Sequence, residues 1–335
     1  MRRMLLTFCL LSLLPVTYAV ACLWDSETLE QERNKFPGTL EVITGNFPRH
    51  SPAFYQWRLD DRLNKLANDP DNDRWLDDVA VSYEKLGRHS EAIEVAESQL
   101  QRNPDRYETL ANLATFLIHD GQWEAGLRYI DRALEVNPDA HFGRERYQRL
   151  LVQYLLQNFP DGQVEYPLAA GDRIDFPTFL VNDQPPGEDG QPPKLSIEQR
   201  QAAVQGVVGM MRFSQHDHPV LLEVLGQLLT ETYRPKVDAK QLAARCYLLL
   251  ADSAASPATQ AAYEQLAKKS LNLQATHKSG SEGQMGLRAV RRELSGELAA
   301  AKKRYNSIVL KEKRWIASGV DVEAAYRQYV NSVQW

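Results

Sequence analysis

The 335-residue chain carries 39 Lys and Arg against 44 Asp and Glu, a net charge of −5, and a length of this order suits about two domains of roughly 150 residues. Hydrophobic residues make up 43% and charged residues 25%, which excludes wholesale disorder. The mildly acidic balance lacks the broad positive field of a nucleic-acid-binding protein, and a single membrane-grade apolar stretch excludes a polytopic membrane protein.

That stretch comes first. Arg2 and Arg3 precede the apolar run 4–16, and Ala19-Val20-Ala21 follows, so residues 1–21 read as a secretory signal peptide. The run is shorter than the ~20 residues of a spanning helix. Two outcomes follow from it. Cleavage after Ala21 would release a soluble protein. Alternatively, Ala19-Val20-Ala21-Cys22 resembles the lipobox of bacterial lipoproteins, in which the Cys carries the lipid, although Leu is usual where Ala19 stands. Leu23 after that Cys argues against retention at the inner membrane. Both outcomes place the protein outside the cytoplasm, in the periplasm or cell envelope. Once Cys9 has left with the signal, Cys22 and Cys246 remain. They allow one disulfide in an oxidising compartment, or Cys246 is a lone buried thiol in the apolar stretch 246–251.

Residues 22–72 form a lead-in and a half repeat. Trp24-Asp25 and the segment 28–43, with Leu29, Phe36, Leu40, Val42 and Ile43, are expected to pack on the first repeat, and a helix is expected over 52–68. A period of 34 residues then governs the chain. Leu66, Leu100 and Leu134 share it, as do Pro70, Pro104 and Pro138, each followed by Asp, and Gly87 and Gly121. Within the first complete unit Leu76, Val79, Ala80 and Tyr83 step as a helical stripe. Gly87 ends that helix. A second helix carries Ala92, Ile93, Ala96 and Leu100 until Asn103-Pro104 stops it. The next unit repeats the scheme with Leu110, Leu113, Ala114, Leu117, Trp123, Leu127, Ile130 and Ala133.

These columns resemble the tetratricopeptide repeat over residues 73–140. Ala80 and Ala114 fill the small slot of the first helix, Ala92 and Gly126 that of the second, and Trp123 the aromatic slot after the mid-unit glycine. His89 stands where that aromatic belongs in the first unit, and Gln99 replaces the Ala matched by Ala133. The lead-in also looks like that of some exported bacterial members. The resemblance implies that first helices line a concave groove. Outward positions there are Arg74, Asp77, Val81, Glu84 and Lys85 in one unit, then Glu108, Ala111, Asn112, Thr115 and His119, then Arg146 and Arg149 on the following helix. The Lys/Asn set with which some members clamp a terminal carboxylate is absent, since Asp77, Val81 and Ala111 stand in its slots. A mixed-charge groove with an apolar floor suits a helix or an extended peptide.

One helix pair cannot hide its apolar face alone, and about three stacked units are needed. Two full units therefore predict flanking helices. The one behind spans 144–157, with Tyr147, Leu150, Leu151 and Tyr154 inward, so that residues 73–157 make the repeat domain. Residues 158–195 are rich in Pro and Gly and read as a linker, with 174–181 as a locally packed extended segment. Residues 196–277 form a second, degenerate helical-repeat block. Ser196 is its N-cap, and helices are expected over 218–229, 240–251 and 258–273. Residues 281–335 hold a long amphipathic helix over 285–317 and a tail. Within 285–314 nine Lys/Arg face three Glu, either as a solvated face on a cap or as a docking face for an anionic membrane or acidic partner.

The expected fold is all-α: a tetratricopeptide-like α-solenoid, a second helical-repeat block and a long C-terminal helix. No phosphate loop, G-x-S-x-G, H-E-x-x-H or C-x-x-C occurs. His216-Asp217-His218 reads as polar capping before Pro219 rather than as a metal site. The reading is a non-enzymatic envelope scaffold that binds a protein or peptide, with no cofactor, no metal and no nucleic acid. Membrane contact would come only through Cys22 or the basic helix. The alternatives are a lipid-anchored envelope assembly or maturation factor, and an enzyme with a site near His216 and His218.

Overall fold

The computed structural model describes residues 23–25, 37–138, 143–185, 194–230, 237–272 and 286–333. Residues 1–21, expected to be a signal peptide, Cys22 and most of the Pro185–Pro193 run lie outside these. Among the described residues there are 14 helices and no strand, an all-α solenoid as expected.

The helices begin with α1 (Thr39–Thr44) and α2 (Pro52–Leu66). Ser51 caps α2, its hydroxyl accepting the Phe54 N–H, and Pro52 takes the first turn, where its missing donor costs nothing. The first unit is α3 (Asp73–Lys85) and α4 (His89–Arg102); the second is α5 (Tyr107–His119) and α6 (Trp123–Val136). Asn72 caps α3 through the Trp75 N–H at 3.2 Å. Gly87 (φ +74) and Gly121 (φ +81) turn the chain between paired helices in the left-handed region, which a side chain would strain. The small slots allow the close approach. A Cβ on Gly126 would lie 2.5 Å from Ile118 Cγ1 and 3.0 Å from the Ala114 carbonyl.

Helix α7 (Arg144–Asn158) follows, then α8 (Phe176–Asn182), α9 (Ile197–Phe213), α10 (Pro219–Thr230), α11 (Val237–Asp252), α12 (Pro257–Asn272), α13 (Leu287–Ser318) and α14 (Val322–Ser332). Ser196 and Gln199 form a reciprocal capping box at the start of α9. The expected extended segment 174–181 is instead α8. Asp175 caps it, Pro177 sits in its first turn, and Phe176 and Phe179 pack edge-on against Tyr154. The described part of the stretch expected as a linker also buries Phe159, Leu168 and Leu180, so residues 159–180 belong to the core. Cys246 is buried and free.

Successive helices stack side by side, and the stack bends until its ends meet, with α13 packing on α2. One hydrophobic core runs from Ala114 and Ile118 in the second unit through α7–α12 to Val290 and Leu294 on α13. A smaller core joins the first unit to the second, from Ala80 to Ala133, with Leu23 inside it. Of the lead-in, Trp24 packs on the repeats as expected, Leu29 and Phe36 lie outside the described residues, and the part around Val42 and Ile43 departs from expectation. Helix α1 packs on α9, α11 and α13 rather than on the first repeat, because the closed ring offers Val42 and Ile43 a fully buried seat.

Candidate functional site

Closure of the ring covers the face that the first helices turn inward. Leu23–Asp25 lies across α3 and α5 in that groove. The Trp24 N–H donates to Asn112 Oδ1 at 2.7 Å, and Asn112 Nδ2 donates to the Trp24 carbonyl at 2.8 Å. A single amide thus satisfies both backbone groups of one extended residue, a contact indifferent to that residue's side chain. Side chains add the rest. Leu23 is buried in the first-unit core, and the Trp24 ring meets Tyr107 edge-on at 6.0 Å. Asp25 Oδ2 accepts from Arg58 Nη1 at 2.9 Å. Arg58 is itself buried on α2, with its Nε on Ser82 Oγ at 3.0 Å.

The groove positions expected to face outward are mostly covered. Asp77, Val81, Glu84, Ala111, Asn112, Thr115 and His119 are buried, whereas Arg74 is exposed and Glu108 half-buried. Asp77 is held by Arg106 Nη1 at 2.7 Å and by Gln99 Nε2 at 3.1 Å, which gives the irregular Gln99 its role. Burial lifts the Asp77 carboxyl to about 6 against the pull of Arg106. Lys85 reaches across to the loop after α9 and donates to the carbonyls of Phe213 (2.7 Å) and Ser214 (3.0 Å). Burial lowers its ammonium to about 8. Arg146 and Arg149 do not join the groove. Arg146 is exposed, and Arg149 pairs with Asp131 on α6 at 2.5 Å. The side of α7 turned inward carries Arg144, set over the Phe213 ring at 4.5 Å, and Gln148, bonded to Thr115 Oγ1 at 3.2 Å.

Two cavities remain beside the seated segment. One of about 430 Å³ has Leu23, Asp25, Val81 and Lys85 on the repeat side and Arg49, Arg212, His216 and Tyr305 opposite. Arg49 stacks on Tyr305 at 4.1 Å, and burial lowers Arg212 to about 10. The other, about 350 Å³, is lined by Leu23, Glu84, Lys85, His89, His119 and the Ser214-Gln215 turn. Glu84 Oε2 pairs with His89 Nδ1 at 2.8 Å and Oε1 with His119 Nδ1. Burial would raise the Glu84 carboxyl, but the two rings outweigh it and hold it at about 2.

His216 and Asp217 both line the larger cavity, and His218 lies apart from it. His216 lies against Gly45 and Phe47, Asp217 is exposed, and His218 sits buried before α10 with its carbonyl accepting the Leu222 N–H. Sequence reasoning missed Arg58, Arg49 and Arg212. Arg58 carried one usable signal, in that it and Arg62 stand four residues apart on one face of α2.

Among the described residues no helix is long and apolar enough to cross a membrane. Among curated proteins none matches the chain. A family model for the tetratricopeptide repeat matches residues 84–154, from the end of α3 through most of α7. Such repeats generally mediate protein–protein interaction and are typically non-enzymatic. The match supports a tetratricopeptide-repeat protein, and the matched stretch contains Asn112, the residue that grips the seated backbone.

Proposed function

We propose that the chain is a non-enzymatic scaffold of the cell envelope whose repeat groove holds a short extended peptide of a partner protein. The observation that carries this reading is the paired contact of Asn112 with the Trp24 backbone. Leu23–Asp25 defines what the groove accepts: an apolar residue, an aromatic residue gripped through its backbone, and an acidic residue for Arg58. A partner segment of that chemistry competes with the resident one. The test is fluorescence anisotropy with a labelled peptide centred on Leu-Trp-Asp. Trp24→Ala, which weakens the resident segment, is expected to raise affinity for the peptide, and Asn112→Ala to lower it. Absence of binding in Trp24→Ala would remove the groove as the binding surface.

Export rests on Arg2, Arg3, the apolar run and Ala19-Val20-Ala21. Cleavage there sets the mature N-terminus at Cys22, directly before the seated residues. The lipobox resemblance of Ala19–Cys22 favours a second reading, a lipid-anchored assembly or maturation factor whose repeats lie close to the membrane that holds it. Mass spectrometry of the mature N-terminus separates the two. A mass matching unmodified Cys22 leaves the soluble scaffold, and a diacylglyceryl mass selects the anchored factor.

A further inference from the structure

The first repeat unit departs from its family pattern at His89, and that departure has a chemical surrounding. His89 opens α4, Glu84 lies five residues earlier near the end of α3, and His119 ends α5 in the next unit. One donor atom from each of the three lies within 4.8 Å of the others. Glu84 and His119 are buried, with side chains 4% exposed, and His89 is 15% exposed. One oxygen of Glu84 lies 2.8 Å from His89 Nδ1 and the other meets His119 Nδ1, so one nitrogen of each ring faces the carboxylate. Both Nε2 atoms lie buried without a hydrogen-bond partner. A buried polar atom left unmatched costs about 1–3 kcal/mol, and this cluster holds two. Sequence reading assigned no metal here, because the three residues share no short motif.

We propose that Glu84, His89 and His119 form a binding site for a divalent transition-metal ion of the Zn²⁺ class. Two imidazoles and a carboxylate are borderline donors, which suit Zn²⁺ and not the hard, all-oxygen preference of Ca²⁺ or Mg²⁺. Three protein ligands leave a position of a tetrahedral ion open, and the 350 Å³ cavity beside Ser214 and Gln215 gives water room to fill it. Coordination is through the Nδ1 atoms that face Glu84; each ring then keeps one proton on Nε2, and a ring that carried two releases the second to solvent. Bound there, it ties the end of α3, the start of α4 and the end of α5 together, fixing two repeat units at the rim of the groove.

Isothermal titration calorimetry with ZnCl₂ on the chelator-treated, tag-free full chain tests this. One equivalent is expected to bind. Loss of a residue that merely orients a ligand costs about 10–100-fold in metal affinity. His89→Asn, His119→Asn and Glu84→Gln should therefore each lower affinity at least about tenfold. His89→Asn is the decisive variant, since His89 reaches the surface at the start of α4 and far-UV circular dichroism will show its fold retained. Zinc X-ray absorption of the bound protein should show two imidazole nitrogens. No stoichiometric Zn²⁺ uptake, or uptake that His89→Asn leaves unchanged, overturns the site and assigns any bound zinc to an adventitious ion elsewhere.

Discussion

Glu312 on α13 accepts the backbone N–H of Ser51 at 2.9 Å, joining the last long helix to the N-cap of α2 across 261 positions of chain. The other oxygen of the same carboxylate meets His50 Nδ1 at 2.6 Å, and Glu312 is fully buried. The stack is therefore closed by a polar clasp rather than by apolar contact alone. Arg62 adds a second tie, reaching Asp78 at 2.8 Å on α3 and Glu323 on α14.

Glu312→Ala removes one member of this buried set and leaves an amide and a ring nitrogen without their acceptor. Breaking such a buried arrangement costs about 3–5 kcal/mol. Urea unfolding followed by circular dichroism is expected to show a loss of this size. A midpoint equal to that of the parent would mean that the ends do not depend on one another.

Gly126→Ala tests the helix crossing that the small-residue columns imply. The added Cβ gains about 1 kcal/mol of helix propensity. It also meets Ile118 Cγ1 near the root of a buried side chain and the rigid carbonyl of Ala114. Overpacking of this kind costs about 1–3 kcal/mol, so the net expectation is a loss, read as a lowered thermal midpoint. A raised midpoint would show that α5 and α6 can move apart freely.

Much of this was legible because it is local. The Leu, Pro and Asp columns repeat every 34 residues, and each marks a helix end or a crossing that neighbouring residues determine. The expected helix 285–317 therefore falls within two residues of α13, Leu287–Ser318. What failed depends on distant partners. Helix α8 is seven residues long in a Pro-rich stretch and is held by Tyr154 of α7. Arg146 and Arg149 stand 34 residues after Asn112 and Thr115, but α5 starts at Tyr107 and α7 only at Arg144, three residues past that register. At 3.6 residues per turn the slip rotates the helix face, and Arg144 and Gln148 take the inward side. Asn112 was visible as a groove residue, yet its partner Trp24 lies 88 positions away, beyond the reach of any periodicity.

Asn112→Ala also has a direct structural readout. The Trp24 amide loses its acceptor, while Leu23 and the Asp25–Arg58 pair still hold the segment. A hydrogen bond contributes about 0.5–1.5 kcal/mol net, so hydrogen exchange at Trp24 should quicken by roughly 2–12-fold. Unchanged exchange would show that the amide pair contributes nothing to seating the segment.

His216 gives the ring a pH dependence of known sign. Burial lowers its pKa from the ordinary 6.5 to about 4; Asp217 and a hydrogen bond to the Ile43 backbone oppose the shift, and Arg49 adds to it. Because the folded state disfavours the charged ring, the unfolded chain binds the extra proton first as pH falls. The stability contributed by the neutral ring is complete above about pH 6.5 and drains away towards pH 4. One proton sets a limiting slope of about 1.4 kcal/mol per pH unit. Asp77, lifted to about 6, contributes with the opposite sign over the same range, so the readout is the difference between two proteins: from pH 7 to 5 the urea midpoint of the parent should move downwards relative to that of His216→Gln. Parallel pH profiles in the two proteins would show that the ring is not held neutral between Phe47 and Arg49.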